Sequence, residues 1–350
     1  MIDFSQVTID NLVIHQIGCK ADGEPVRYSK SPYNLNDDEE VGGILIQYFF
    51  KPFKSEAYFN FSHSSGEVGQ NAVFRIASNV FGGQLPFYDA TLQIADLLYQ
   101  TSGHPMIKGG EFYMARFRNC VVDGEIVEAL GIFKSENKET FLKVYLRDQN
   151  FELGAQEGIN VKKLDKGCLI FSTEQQLGFK VCSIDNINKG NDAHFWHDDF
   201  LGLKPREDNY YFTNNYLKLC RDFVDDVYNE DNDVARAEQI DMLNRSIDFF
   251  NKKDNFSEAD FAKEVIRQPE VLDAFNEYKS FFESEKALPL KSEFDISKSA
   301  VKGEKRFFKS VLKLDKNFHV YVHGKKNYIE KGYDPDKGLN FYKLYFEVEH

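Results

Sequence analysis

EFYMARFR (111–118), EIVEALGIF (125–133), TFLKVYL (140–146), CLIFST (168–173) and FKVCSI (179–184) follow one another with turn residues between them. Each run is short, rich in β-branched or aromatic residues, and bounded by polar turn formers, which is the pattern of neighbouring antiparallel strands. The spacing predicts an antiparallel meander in the middle of the chain. In 141–146, Leu142, Val144 and Leu146 alternate with Phe141, Lys143 and Tyr145, so one face is expected to be buried within an intramolecular core.

Upstream, VTIDNLVIHQIG (7–18) reads as a strand. Asp37-Asp38-Glu39-Glu40 would open a helix, since carboxylates favour the positive end of the helix dipole. Val41, Ile44, Leu45, Tyr48 and Phe49 give that helix its apolar stripe, and Pro52 stops it. Asp89 is the expected cap of a second helix carrying Leu92, Ala95 and Leu98. Downstream, the spacing turns helical. Thr213 precedes Tyr216, Leu217, Cys220, Phe223, Val224 and Val227, while Asp233 leads Ala237, Ile240, Leu243, Ile247 and Phe250. Ser257-x-x-Asp260 is close to a capping box, with Phe256 and Phe261 as its staple, and Pro269 suits a helix first turn.

Near the carboxyl end the period returns to two. With Asp315-Lys316-Asn317 as a turn, Leu314 lies opposite Phe318 and Leu312 opposite Val320. The other face then pairs Lys313 with His319, Val311 with Tyr321 and Lys309 with His323. YIEKGY (328–333) and LNFYKLYFEV (339–348), joined at Asp334–Gly338, complete a meander. The fold class is therefore α+β, with three parts: a mixed N-terminal α/β region with an antiparallel sheet (1–190), a helical middle (191–295) and a basic antiparallel meander (296–350).

Composition narrows the function. Apolar residues at 42% and charged residues at 28% of 350 exclude a disordered tail and a membrane protein. MIDFSQVTID has neither a basic nor an apolar leader region, so no signal peptide is expected. Five scattered cysteines without a CxxC pair point to a reducing cytosol and to neither a disulfide framework nor a zinc ribbon. The net charge of −13 argues against nucleic acid only as a total. From Lys298 to Lys331 ten cations face only Glu304, Asp315 and Glu330, a local +7 that leaves −20 elsewhere. Acid concentrates from Asp222 to Asp260. Three readings of the basic run stand: an anion-binding surface, a face docked on those acidic helices or across a dimer, and an inert solvated face.

Phosphate loops, nucleophile elbows and zinc-protease or deaminase signatures are absent from the sequence, so no cofactor and no enzyme activity are expected. Asp192, His194, His197 and Asp198 form the one metal-like cluster, as a nuclease site would require. Beside Phe195, Trp196 and Phe200 they read better as part of an aromatic anchor. His15, on an apolar strand, reads as a hydrogen-bonded core histidine.

The order of parts resembles the 37-kDa nucleoid-associated bacterial proteins, the NdpA-like family. The likeness runs from Val13-Ile14-His15-Gln16-Ile17, through the acidic start of the helix at 37–51 and FWHDDFLG (195–202), to FKSVLKLDKNFHVYVHG (308–324) and YIEKGYDPDKGLNFYKLYFEV (328–348). The resemblance implies a bacterial, DNA-associated protein of the cytoplasm and nucleoid. Charge and alternation supply the expected contacts to double-stranded DNA. Lys305, Arg306, Lys309, Lys313, Lys325 and Lys326 would meet phosphates, and His319, Tyr321 and His323 would add hydrogen bonds or groove contacts. One alternative is an adaptor whose acidic helices, with Asp225, Asp226, Glu230 and Asp231, recruit a DNA-handling enzyme. A metal-dependent nuclease is the other, and a homodimer stays open beside each.

Overall fold

The structure, a computed structural model, describes residues 2–35, 39–54, 56–187, 195–308, 311–322 and 328–348, the side chains of 39 and 313 aside. The first half runs β1 (Ile2–Asp3), β2 (Thr8–Ile17), α1 (Glu39–Phe50), β3 (Phe59–Phe61), α2 (Ala72–Phe81) and α3 (Phe87–Thr101). It continues through β4 (Gly110–Val122), β5 (Glu125–Ser135), β6 (Glu139–Arg147), β7 (Asn150–Gly158), β8 (Lys166–Phe171), β9 (Lys180–Asp185) and β10 (Leu203–Pro205). An antiparallel sheet in the order β1-β4-β5-β8-β9-β3-β10 results, with β2 also paired to β4. The two chain units are Met1–Arg206, which holds this sheet, and Glu207–His350.

Helices cover both faces of the sheet, and that explains why its strands read as near-continuous apolar runs. On one face Phe112, Met114, Leu130, Ile132 and Ile170 meet α2 and α3 through Val73, Ile76, Val80, Ile94 and Leu98. Opposite them, Tyr113, Phe117, Phe133, Leu169 and Phe171 meet Tyr48, Phe49 and Phe50 of α1. The Phe49 and Phe133 rings stack with centroids 4.1 Å apart. Burying one such side chain contributes about 1.5–3 kcal/mol. Asn71 caps α2 by accepting from the Phe74 N–H, and its Nδ2 donates to the Leu201 and Ser62 carbonyls. α3 starts two residues before Asp89, with Pro86 at its cap, so Asp89 is a first-turn carboxylate rather than the cap.

β6 and β7 leave the sheet. They pair only with each other, while β5 passes directly to β8. Leu142, Val144 and Leu146 are 69%, 60% and 70% exposed, which overturns the expectation that this face lies in an intramolecular core. The alternation is real, but nothing in the chain's own sheet covers it.

The second unit contains α4 (Asn209–Asp226), α5 (Arg236–Lys252), β11 (Asn255–Ser257), α6 (Glu258–Phe261), α7 (Pro269–Lys286), β12 (Glu293–Asp295) and α8 (Lys298–Glu304). Its core is aromatic, with Tyr216, Phe223, Phe250, Phe256, Phe275 and Phe294 among its buried rings. Asp208 caps α4 through the Tyr211 N–H, so that helix begins four residues before Thr213. Asp233 stands in the left-handed region (φ 61°) ahead of α5 rather than capping it. Ser257 is at the α6 cap position without a side-chain cap bond, whereas Pro269 opens α7 as expected. Two antiparallel pairs end the chain: β13 (Val311–Leu314) with β14 (Phe318–Tyr321), and β15 (Ile329–Asp334) with β16 (Leu339–Leu344). Each is a separate two-stranded pair among the described residues.

Candidate nucleic-acid interface

A turn at 315–317, entered through Asp315 in the left-handed region (φ 52°), sets the register of β13 on β14. Val311 faces Tyr321, Leu312 faces Val320, Lys313 faces His319 and Leu314 faces Phe318, the pairing expected from alternation. Leu312 and Val322 are buried against Ile240 of α5, with Leu314, Val320, Ile329 and Tyr342 packed around them. Period two then sends the other set outward. His319 is exposed and Tyr321 is 66% exposed, two residues apart on that outer face.

The basic run does not begin on a strand. Lys298 and Lys302 lie on α8, which Ser297 caps, and Lys305 and Arg306 sit on the single 3-10 turn 305–307 that follows. The Lys298 ammonium donates to the Phe250, Asn251 and Lys253 carbonyls at the end of α5 and lies 3.3 Å from Asp254. It serves as a helix C-terminal clamp rather than a free cation. Lys331 lies 3.9 Å from Glu230. Lys302, Lys305 and Lys316 are exposed and form no ion pair among the described residues, and the Arg306 guanidinium lies over the Phe307 ring at 4.6 Å. Two of the three carboxylates within the run are engaged by cations outside it. Glu304 is 3.5 Å from Arg221, and Glu330 is 3.4 Å from Lys343. Lys309, His323, Lys325 and Lys326 lie outside the described residues, as does the Lys313 side chain.

A model for the family described as nucleoid-associated protein YejK matches residues 13–337. The chain belongs to this family. The match begins within β2 and ends after β15, so all of the sheet but β1 and the start of β2, the helices and the outward-facing hairpin fall within the family's pattern. No curated protein matches the chain.

The other candidate residues fare differently. Asp192 and His194 lie outside the described residues. His197 packs edge-on against Phe59, and its Nε2 is 3.3 Å from the Ser183 hydroxyl. Burial holds its imidazole below the usual histidine range, against the opposing pull of Asp185 and Asp198. Trp196 is fully buried with Phe200 at 5.1 Å, so the segment is an aromatic anchor held by Asn71. Among the described residues no three His, Cys, Asp or Glu side chains group as metal ligands. Burial also pushes the Cys120, Cys182 and Cys220 thiols up to about 12, where a thiolate nucleophile is scarce at neutral pH.

On the acidic helices, Asp226 accepts from the Tyr278 hydroxyl, and Asp225 is raised by burial despite Arg221 and Arg236 nearby. A cleft of about 1130 Å³ lined by Arg221, Asp225, Arg236, Phe307, Phe318 and Phe341 was not legible from the sequence. Only the four-residue spacing of Arg221 and Asp225 on one helix face hints at it. No helix among the described residues is long and apolar enough to cross a membrane.

Proposed function

We propose that this chain binds double-stranded DNA through its phosphates, without strong sequence preference, as a non-catalytic component of the cytoplasmic nucleoid. The observation that carries the reading is the openness of the basic run. In a molecule of net charge −13, Lys302, Lys305 and Lys316 stand exposed and unpaired among the described residues, and His319 and Tyr321 face outward on the β13–β14 hairpin. Membership of a nucleoid-associated family supports the same partner. Lys305, Arg306, Lys309, Lys313, Lys325 and Lys326 are assigned to phosphates, and His319, Tyr321 and His323 to hydrogen bonds or groove contacts. The adaptor alternative draws less support, because Asp226 and Glu230 already have partners within the chain.

About five or six phosphate contacts give a slope of log affinity on log salt near −5, a loss of roughly a thousandfold between 50 and 200 mM. Gel shift or fluorescence anisotropy on a duplex across that range measures it. Reversing Lys305 and Arg306 to Glu should weaken binding on every duplex sequence tried and flatten the slope by about 2. A flat salt response in the parent, or an unchanged slope in the double variant, refutes the assignment.

A further inference from the structure

The β6–β7 ribbon carries an apolar face that the chain leaves bare. Across it, Leu142 pairs with Ala155, Val144 with Leu153 and Leu146 with Phe151, three rows without a polar side chain. Phe151 and Leu153 are 78% and 71% exposed, as open as their partners on β6. The opposite face is partly covered by its own side chains, with Phe141 and Tyr145 48% and 38% exposed. The Tyr145 ring lies across Gly154 and the Phe141 ring across Gly158, where a Cβ would come within 2.8 Å of either ring. The Lys143 ammonium lies over Tyr145 at 5.3 Å, and Arg147 is 3.8 Å from Glu152. One face of the ribbon is partly covered by its own rings and ion pairs, and the other is bare.

The ribbon is also firmly mounted. Asp165 accepts from the Glu136 and Asn137 N–H groups where the chain leaves the sheet. Lys163 and Asn160 hold Glu139 at the base, at 2.7 and 2.8 Å. At the tip, Asp148 and Gln149 both have positive φ, 47° and 65°, the two-residue hairpin turn whose twist matches the strands. Yet a two-stranded hairpin alone is marginal in water, and a contiguous bare patch of this kind marks an interaction surface.

We propose that the apolar face of β6–β7 packs on the same face of a second copy of this chain, related by a two-fold axis crossing the ribbon at the Val144–Leu153 row. Rotation about that axis sets Val144 over Val144 and Leu153 over Leu153 of the other copy. It sets Leu146 over Leu142 and the large Phe151 over the small Ala155. Bulky over small at facing positions is the packing that interdigitates two layers at about 10 Å. An axis along the ribbon would instead stack the bulky Leu146–Phe151 row on itself. Thr140–Glu157 at the base and Asp148–Gln149 at the tip supply a polar rim at each end. The five large side chains present on the order of 700 Å² per copy, so the pair would bury on the order of 1,400 Å², within the size of specific interfaces. With no charge in the three apolar rows, the face offers a charged partner nothing to recognise, whereas it complements itself.

Light scattering or sedimentation equilibrium on the full chain, up to about 100 µM, tests this. The parent should have the mass of a dimer. Leu153→Glu, which brings two carboxylates together near the axis, should raise the dimer Kd by at least about a hundredfold. Val144→Lys and Val144→Asp should each be monomeric alone and should form a dimer when mixed, because Val144 faces itself. Circular dichroism should match the parent in all three, since the ribbon lies outside the core. A monomeric parent, a dimeric Leu153→Glu, or a Val144→Lys and Val144→Asp mixture that stays monomeric overturns the proposal. So does a monomeric parent that captures a different protein through this face.

Discussion

Four charged side chains are shut inside the first unit, and their removal has a calculable cost. The Lys134 and Lys166 ammonium groups lie 3.0 and 3.3 Å from Glu136, and Lys166 is 3.3 Å from Asp185. Their side chains are 0%, 0%, 3% and 2% exposed in the order Lys134, Lys166, Glu136, Asp185. Burial pushes the Lys134 ammonium down, and Glu136 opposes that shift. Two positive and two negative charges make the group neutral as a set, so its stability depends on removing charges in pairs. Lys166→Met leaves one excess buried carboxylate and should cost about 3–5 kcal/mol. Lys166→Met with Asp185→Leu leaves Lys134 paired with Glu136 and should recover at least about 2 kcal/mol of the sum of the single losses. Asp185 also accepts from the Ile187 N–H, but that loss occurs in both the single and the double variant and cancels from the coupling. Urea unfolding followed by Trp196, the only tryptophan, reports on this unit alone. Additivity within about 0.5 kcal/mol, or a Lys166→Met cost below about 1 kcal/mol, would show that water reaches these charges and would refute the reasoning.

Asn71→Ala removes the α2 cap and the Nδ2 bonds to Leu201 of the 195–202 anchor and to Ser62, so it should destabilise the first unit by about 2–3 kcal/mol and shift the Trp196 emission; an unchanged spectrum counts against the anchor. His15 is fixed as the neutral tautomer, since its Nδ1 accepts from the Ser29 N–H and its Nε2 donates to the Thr91 hydroxyl, itself a donor to the Tyr88 carbonyl. Burial lowers its pKa below 6.5, so the unfolded chain takes up the proton first and stability falls as pH drops from 6.5 towards the folded value, by at most about 1.4 kcal/mol per pH unit. His15→Gln should flatten the acid side of a Trp196-monitored stability profile, and a parent that grows more stable on acidification contradicts the assignment.

How far the sequence carried the fold depended on how local each signal was. The β13–β14 register was legible because a three-residue turn fixes the pairing and alternation fixes the face. α2 was left unread, although Asn71 ahead of Val73, Ile76, Ala77 and Val80 is a local cap-and-stripe signal. Helix starts were less legible, because Asp208 and Thr213 are both good caps and only tertiary packing selects between them. For β6, the alternation of Leu142, Val144 and Leu146 records that a face avoids water without recording which surface covers it. β5 to β8 pairing skips two strands, a long-range choice that no local pattern encodes. For the candidate interface, alternation correctly turned His319 and Tyr321 outward. Charge counting could not reveal that Lys298 clamps the end of α5.

An acidic molecule meeting a polyanion raises a question of range, which the charge arrangement answers. The acidic helices carry their own counterions: Arg221 and Lys286 on Asp222, Arg245 on Asp241, Lys252 on Asp248. Paired charges present a dipolar field that dies away faster than that of bare carboxylates. At physiological salt the screening length is about 8 Å, so a phosphate near Lys305 is governed by cations close by and not by the total of −13. Dilution changes that balance, because at about 10 mM salt the length grows to about 30 Å and the whole molecule is felt. Cation–phosphate attraction and net-charge repulsion then strengthen together. The affinity plot should therefore be steep between 50 and 200 mM and bend towards flat below that range, whereas a basic DNA-binding domain would continue to climb. A straight line down to 10 mM would mean that the bulk of the negative charge is held far from the duplex, and a slope near zero throughout would mean that the cations never reach it.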